Sequence, residues 1–425
     1  MLRALLLKRR AGAIALVAIV VASMMGFFMS PALAAAPPLQ IQAKAAVLMD
    51  VNTGNILFEQ NADQPIPPAS LTKLMTLHLA WNALAAGTIH ETDKVNIGSD
   101  AWAKNMPGQS LMFLEPGQSV TVKELMTGLA VDSGNDAAIA LADKVGGSVP
   151  AFVAMMNAEA QKLGLKNTHF VDPAGVDPAN VTTAREYVEL ARQYIILHPQ
   201  AMVQLHSVPS FTYPQAQNLA PGHTVQDSPP ITQYNLNLIL GNLPGVAGVV
   251  VDGLKTGFIE QSGFNFAVTA YRDSQRLVGV ILGVPGNTQE EGKALRAKQG
   301  AALMTWGFQN FAFVKPAVPA TKPVRVYKGA ENQVNLVPDG TVALTVENSL
   351  QSQITTTFHQ ESTVMAPVKK GQVLGELIYA ANGKQIAKYN LVAANDVKQG
   401  GIFKRLWDSV WLTVSGWLSH FSKKK

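Results

Sequence analysis

The sequence predicts an α+β architecture, followed by a small all-β domain and a terminal amphipathic helix. Three observations carry this. Helix-periodic segments bunch between residues 70 and 197, with strand-like runs on both sides, which suits one sheet built from both ends rather than an alternating βαβ order. The string Lys315-Pro-Ala-Val-Pro-Ala-Thr-Lys-Pro323 then separates this block from short β-rich runs. Finally, apolar residues recur at steps of three and four close to the C-terminus. At 425 residues the chain exceeds what one ordinary core accommodates.

Taken in order, residues 1–34 predict a signal peptide. Arg3, Lys8, Arg9 and Arg10 precede an apolar run over 11–28, and Ala32-Leu-Ala34 fits cleavage after Ala34. An uncleaved anchor is the alternative, because the run is long. Residues 45–49 and 55–58 read as a hairpin around Asp50-Val-Asn-Thr-Gly54. Pro65, Pro67 and Pro68 break the chain before a buried helix that starts at Ser70 and carries Leu71, Leu74, Met75 and Leu79. Thr121-x-x-Glu124 is a capping box, and Thr183-Ala-Arg-Glu186 opens a helix reaching about residue 197. Residues 135–145 and 151–163 read as further helices. Strands are expected at 248–252, 264–271 and 276–283, then a helix over 290–306. Beyond the prolines, 324–327, 333–336, 342–346, 354–358, 372–380 and 385–392 read as strands. The expected division is a signal peptide over 1–34, a main domain over 35–311, the all-β domain over 312–398 and an amphipathic helix over 399–425.

Within 402–421, Phe403, Leu406, Val410, Val414, Trp417 and Phe421 share a face that Trp407, Trp411 and Leu418 widen. Lys404, Arg405, Asp408, Ser409, Ser415, Ser419 and His420 make the other face. The charges interrupt it too often for a membrane span, and aromatics opposite a basic face describe a helix lying in a membrane interface. A helix docked on its own protein is the alternative.

Composition excludes several functions. With no cysteine, disulfides, thiol nucleophiles and cysteine metal sites are impossible. The formal charge of +5 resides at the ends: residues 1–34 and 401–425 contribute +4 each, leaving about −3 for the body. A nucleic-acid partner would require the basic patch on the fold itself. The histidines show no zinc spacing, and Ser70 does not sit in a G-x-S-x-G elbow.

The chemistry lies in three strings: Ser70-Leu-Thr-Lys73, Ser133-Gly134-Asn135 and Lys255-Thr256-Gly257. A serine hydroxyl needs a base, and on a helix Lys73 lies one turn from Ser70. Its amine serves as that base if burial or a second cation such as Lys255 lowers its pKa. Ser70 at a helix start would aim its own N–H at a developing oxyanion. Ser133 could relay a proton to a leaving amine, and Asn135 could hold a substrate amide. Lys255 and Thr256 could bind a carboxylate, with Gly257 admitting the substrate backbone. Read singly, each string is also an ordinary cap, turn or surface lysine; in this order and at these distances they form a set.

That set, within Pro68-Ala-Ser-Leu-Thr-Lys-Leu-Met-Thr76, Val131-Asp-Ser-Gly-Asn-Asp-Ala137, Asp252-Gly-Leu-Lys-Thr-Gly257 and Thr305-Trp-Gly-Phe308, resembles the serine-type D-alanyl-D-alanine carboxypeptidases, the low-molecular-mass penicillin-binding proteins of the S11-like peptidases. The resemblance runs from about Lys44 to the C-terminus. It implies a penicillin-binding-protein/β-lactamase-like catalytic domain, an antiparallel sheet with helices, ahead of the all-β domain and the helix. The implied reaction removes the C-terminal D-alanine from peptidoglycan stem pentapeptides through a serine acyl-enzyme, sensitive to penicillin, in cell-wall synthesis and remodelling. The implied catalytic residues are Ser70 as nucleophile, Lys73 as proton acceptor and Ser133 as second serine. The implied substrate-binding residues are Asn135, Lys255, Thr256, Gly257, Phe258 and Arg296. No cofactor or metal is implied. The partners would be stem peptides, β-lactam inhibitors and a membrane surface touched by 402–421, with the enzyme periplasmic on the outer face of the inner membrane.

The chain departs from related patterns at two places. Gly134 stands where class A β-lactamases carry Asp, and no Glu-x-x-Leu-Asn string occurs, which argues against a β-lactamase. Phe258 stands where His or Tyr often follows Lys-Thr-Gly. The alternatives are a peptidoglycan endopeptidase of the same fold and a non-catalytic peptidoglycan-binding protein.

Overall fold

The computed structural model describes residues 36–422, with the side chains of the last helix described as far as Val414. The expected signal peptide over 1–34 and the closing Lys423, Lys424 and Lys425 lie outside the described residues.

The hairpin forms as β1 (Ala45–Asp50) and β2 (Ile56–Gln60). Three long strands come from the other end of the domain: β3 (Val250–Ile259), β4 (Gly263–Arg272) and β5 (Gln275–Val284). They join in the order β2-β1-β5-β4-β3, with the two-residue strand Gly241–Asn242 outermost, antiparallel throughout.

Both faces of the sheet are covered. On β5, Val278, Val280 and Leu282 face the larger helical core, while Leu277 and Ile281 face the other side. This alternation is the period of two that a strand imposes. The first face packs α1 (Lys73–Ala85), α2 (Val122–Val131), α3 (Asn135–Gly146), α4 (Val149–Lys162) and α5 (Ala184–Leu197). The second packs α6 (Gln289–Asn310) through Leu303, Met304 and Phe308. The capping box at Thr121 is complete, with Glu124 N–H donating to Thr121 Oγ1 and Thr121 N–H to Glu124 Oε2.

Two expected elements are corrected. The segment at Ser70 opens as a 3₁₀ turn over Ala69–Thr72, and the α-helix begins only at Lys73. The Lys-Thr-Gly string does not follow a strand; it lies inside β3, which runs on to Ile259. The short hairpin of Ser210–Tyr213 and Ile231–Tyr234 was not anticipated.

Beyond α6, Phe311–Val314 pairs with Leu344–Glu347. Strands Leu336–Pro338, Lys384–Ala393, Val373–Ala381 and Ile354–Gln360 form a four-stranded antiparallel sheet. Val324, Val326, Leu344, Leu377, Tyr379 and Leu391 fill a separate core. The chain closes on α7 (Ile402–Ser422). Asp408, expected on the solvated face, is instead 1% exposed. It accepts from Lys328 N–H at 2.6 Å and from Lys404 Nζ at 2.9 Å, so the helix start is clasped to the β unit.

Candidate active site

Ser70 sits where the helical layer meets β3. The preceding Ala69 has φ +53°, a left-handed conformation that is rare without glycine. Neighbours hold this turn in place. Asn265 Nδ2 on β4 donates to Pro67 O and Pro68 O, each at 3.0 Å, and Tyr187 Oη donates to Leu71 O at 2.7 Å. A Cβ at Gly175 would overlap the Ala69 carbonyl, so that loop can approach the turn only as glycine.

Lys73 is fully buried. Its Nζ donates to Ser70 Oγ at 3.1 Å, Asn135 Oδ1 at 2.6 Å and Ala174 O at 2.6 Å. Burial pulls its ammonium from the usual 10.5 down to about 7, against the opposing fields of Asp172 and Asp136. The amine beside the hydroxyl is therefore available as a base near neutral pH.

The acids behind Lys73 are structural. Asp136 accepts from Met112 N–H at 2.9 Å and Leu114 N–H at 3.0 Å. Its carboxyl is raised by burial and held back by these bonds. They fix the loop that brings Gln109 Oε1 to Asn135 Nδ2 at 2.6 Å. Asp172 accepts from Ala174 N–H at 2.7 Å and Gly175 N–H at 2.5 Å, which aims the Ala174 carbonyl. Asp136, Asp172, Gln109 and Ala174 were not singled out from sequence. The carboxylates lie in Asp-rich strings that also read as turns, and a backbone carbonyl has no residue signature.

Ser133, at the end of α2, is buried with φ +61°. Asn135 opens α3, and both ends of its amide are engaged, by Lys73 and by Gln109.

Lys255 is 2% exposed, and its Nζ donates to Thr256 O at 3.2 Å. Burial, then Lys73 and Arg296, hold its ammonium well below the ordinary range, with Asp132 opposing. Asp132 is pushed up to about 8, by burial and then by Asp136. Arg296, on α6, is 4% exposed and donates Nη2 to Leu236 O at 3.2 Å. Burial lowers it to about 10, so it remains cationic at neutral pH.

A Cβ on Gly257 would lie 3.0 Å from Ser70 N and 3.1 Å from Pro68 O. Glycine there keeps the Ser70 N–H open. Phe258 packs against Phe264 with ring centroids 4.4 Å apart.

These residues converge on a cleft of about 850 Å³. Ser70, Ser133, Asn135, Thr256, Gly257, Phe258 and Arg296 line it, and Lys73 and Lys255 are buried behind it. Every residue expected at the site is therefore in one place. A serine with an adjacent low-pKa amine, a second serine and a cationic end can take a peptide with a free carboxylate and be acylated by the carbonyl of its last peptide bond, releasing the terminal residue. Among the described residues no cluster of His, Asp and Glu could hold a metal.

The D-alanyl-D-alanine carboxypeptidase family profile matches residues 32–286, and that of the penicillin-binding protein 5 C-terminal domain matches 311–399. The chain is 38% identical to the D-alanyl-D-alanine carboxypeptidase DacA of Haemophilus influenzae over 387 residues, 90% of this chain and 92% of the relative. The solved structure of penicillin binding protein 5 from Haemophilus influenzae superposes with a TM-score of 0.74 at 36% identity, covering 85% of this chain and 99% of that one. Penicillin-binding protein D2 from Listeria monocytogenes, in its cefotaxime-bound form, gives 0.52 at 28% identity, covering 64% and 99%.

Proposed function

The chain belongs to the D-alanyl-D-alanine carboxypeptidase family, and on that premise we propose that it removes the C-terminal D-alanine of peptidoglycan stem pentapeptides through an acyl-enzyme on Ser70. The observation that carries this is the Lys73 amine, buried, 3.1 Å from Ser70 Oγ and poised near neutrality.

In this mechanism Lys255, Thr256 and Arg296 hold the terminal carboxylate. Neutral Lys73 takes the Ser70 proton, and Oγ attacks the carbonyl of the penultimate D-alanine. The backbone N–H groups of Ser70 and Phe258 receive the oxyanion. Ser133 passes the proton to the departing D-alanine amine, and water then hydrolyses the ester. A β-lactam enters the same path and stays as the ester. Asn135 acts first by orienting Lys73; its Nδ2 carries two hydrogens, one given to Gln109, and the other can serve a substrate amide carbonyl.

We also place the enzyme in the periplasm, on the outer face of the inner membrane. The signal-like N-terminus supports this, as does α7, where Phe403, Leu406, Trp407, Val410 and Trp411 are exposed. Among the described residues no single helix is long and apolar enough to cross a membrane.

Mass spectrometry of a disaccharide pentapeptide, incubated with the protein and with Ser70→Ala, tests the reaction. Loss of one alanine with the former alone is expected. Cleavage only of cross-linked dimers would indicate an endopeptidase, and no change in either substrate a binding protein.

A further inference from the structure

Behind the cleft, β3 carries a register shift between Val251 and Gly253. A bulge takes backbone groups out of the ladder, and buried carbonyls then need other donors. Side chains supply them here. Gly253 O accepts from Asn237 Nδ2 at 3.0 Å, and Leu254 O lies 2.9 Å from His206 Nδ1. The next residue is Lys255.

His206 is 1% exposed. Its other nitrogen, Nε2, lies 2.9 Å from the Tyr194 hydroxyl, and the two rings meet edge to face at 5.4 Å. These contacts assign the tautomer. A carbonyl only accepts, so Nδ1 carries the hydrogen, and Nε2 accepts from the Tyr194 O–H. The imidazole is thus clamped between α5 and β3. Its backbone is clamped as well: Asn235 Nδ2 donates to His206 O at 3.0 Å.

We propose that His206 is a positioning residue for substrate binding: its Nδ1–H, aimed by Tyr194, holds the Leu254 carbonyl and so sets the peptide that presents Lys255 to the substrate carboxylate. This rests on the role given to Lys255 above. The device works only with a neutral ring. Burial keeps His206 down at about 3, with Lys255 adding to the effect and the bond to Leu254 opposing it. The ring therefore stays neutral wherever the enzyme works, and adds no further positive charge to the one Arg296 already sets near Lys255.

The test compares His206→Phe, which keeps a ring but removes both hydrogen bonds, with His206→Asn, whose amide can replace the Nδ1–H. Full-length proteins are titrated with a fluorescent penicillin, so that rates refer to labelled sites and not to total protein. For His206→Phe the expected result is at least a tenfold lower second-order acylation rate per site, with KM for a D-alanyl-D-alanine peptide raised more than kcat is lowered. His206→Asn should recover most of the loss. An unchanged rate per site in His206→Phe, or an equal loss in both variants, would overturn the proposal, because the bond to Leu254 would then not be the cause. If His206→Phe does not fold, Tyr194→Phe deletes only the aiming hydroxyl. A several-fold lower rate per site is expected there, and an unchanged rate overturns the proposal. Failure of the underlying functional reading is recognised separately, by absence of labelling in the unaltered protein.

Discussion

Lys73→Met examines the buried amine through stability as well as rate. The fall from 10.5 to about 7 is equivalent to roughly 5 kcal/mol against the folded state wherever the amine is protonated. The sign follows from linkage. Between the two pKa values the unfolded chain holds a proton that the folded chain does not, so the Lys73 contribution makes stability rise with pH, by about 1.4 kcal/mol per pH unit. At and below neutrality the folded protein bears the full cost. Methionine removes this dependence but leaves Asn135 Oδ1 and Ala174 O without their donor. Each loss costs about 1–3 kcal/mol. The two effects nearly offset one another in acid, and the variant falls behind as pH rises. Between about pH 7 and pH 9.5 the unaltered protein should gain about 3 kcal/mol on the variant. Titrating groups away from Lys73 cancel in the difference; Lys255, whose depression eases when Lys73 is gone, and Asp136, whose field acts on Lys73, do not. Urea unfolding followed by tryptophan fluorescence at several pH values measures it. Acylation should fall by about 10²–10⁴. A stability difference that does not change with pH would refute a Lys73 that deprotonates near 7.

Three further perturbations address other parts of the account. Lys255→Ala removes a hydrogen bond to the charged substrate carboxylate worth about 1.5–3 kcal/mol, so kcat/KM for a D-alanyl-D-alanine peptide should drop roughly 10–150-fold, mostly through KM; unchanged turnover would remove Lys255 from carboxylate binding. Gly257→Ala places a Cβ 3.0 Å from Ser70 N and should slow penicillin acylation at least tenfold with an unaltered circular dichroism spectrum, whereas a normal rate would show that the Ser70 N–H needs no open approach. A chain ending at Gly400 should no longer sediment with anionic vesicles yet still hydrolyse small D-alanyl peptides, since α7 holds the exposed apolar face; equal sedimentation would mean that α7 is not the membrane contact.

Much of this was legible in the sequence because helix starts are written in side chains. Thr121 and Glu124 bound α2, and Thr183 caps α5 through Glu186 N–H, as their spacing required. The catalytic strings were legible because Ser70, Ser133 and Lys255 each carry distinctive chemistry. What escaped was carried by backbone or by tertiary burial. The expected strand stops at 252, ahead of Lys255 and Thr256, yet both residues are buried within β3, where the cleft is built against a strand. Asp408 looked solvated among charged neighbours, and only the fold supplies the Lys328 N–H that buries it. The 3₁₀ turn at Ser70 follows Pro67 and Pro68 and a left-handed Ala69, which helical periodicity does not report.

The central claim is that Ser70 forms the acyl-enzyme. Brief mixing of the full-length protein with benzylpenicillin, followed by proteolysis and tandem mass spectrometry, tests it most directly. One penicilloyl adduct on the peptide containing Ser70 is expected, absent in a folded Ser70→Ala protein. An adduct on Ser133 or elsewhere, or labelling that persists in Ser70→Ala, would contradict the account.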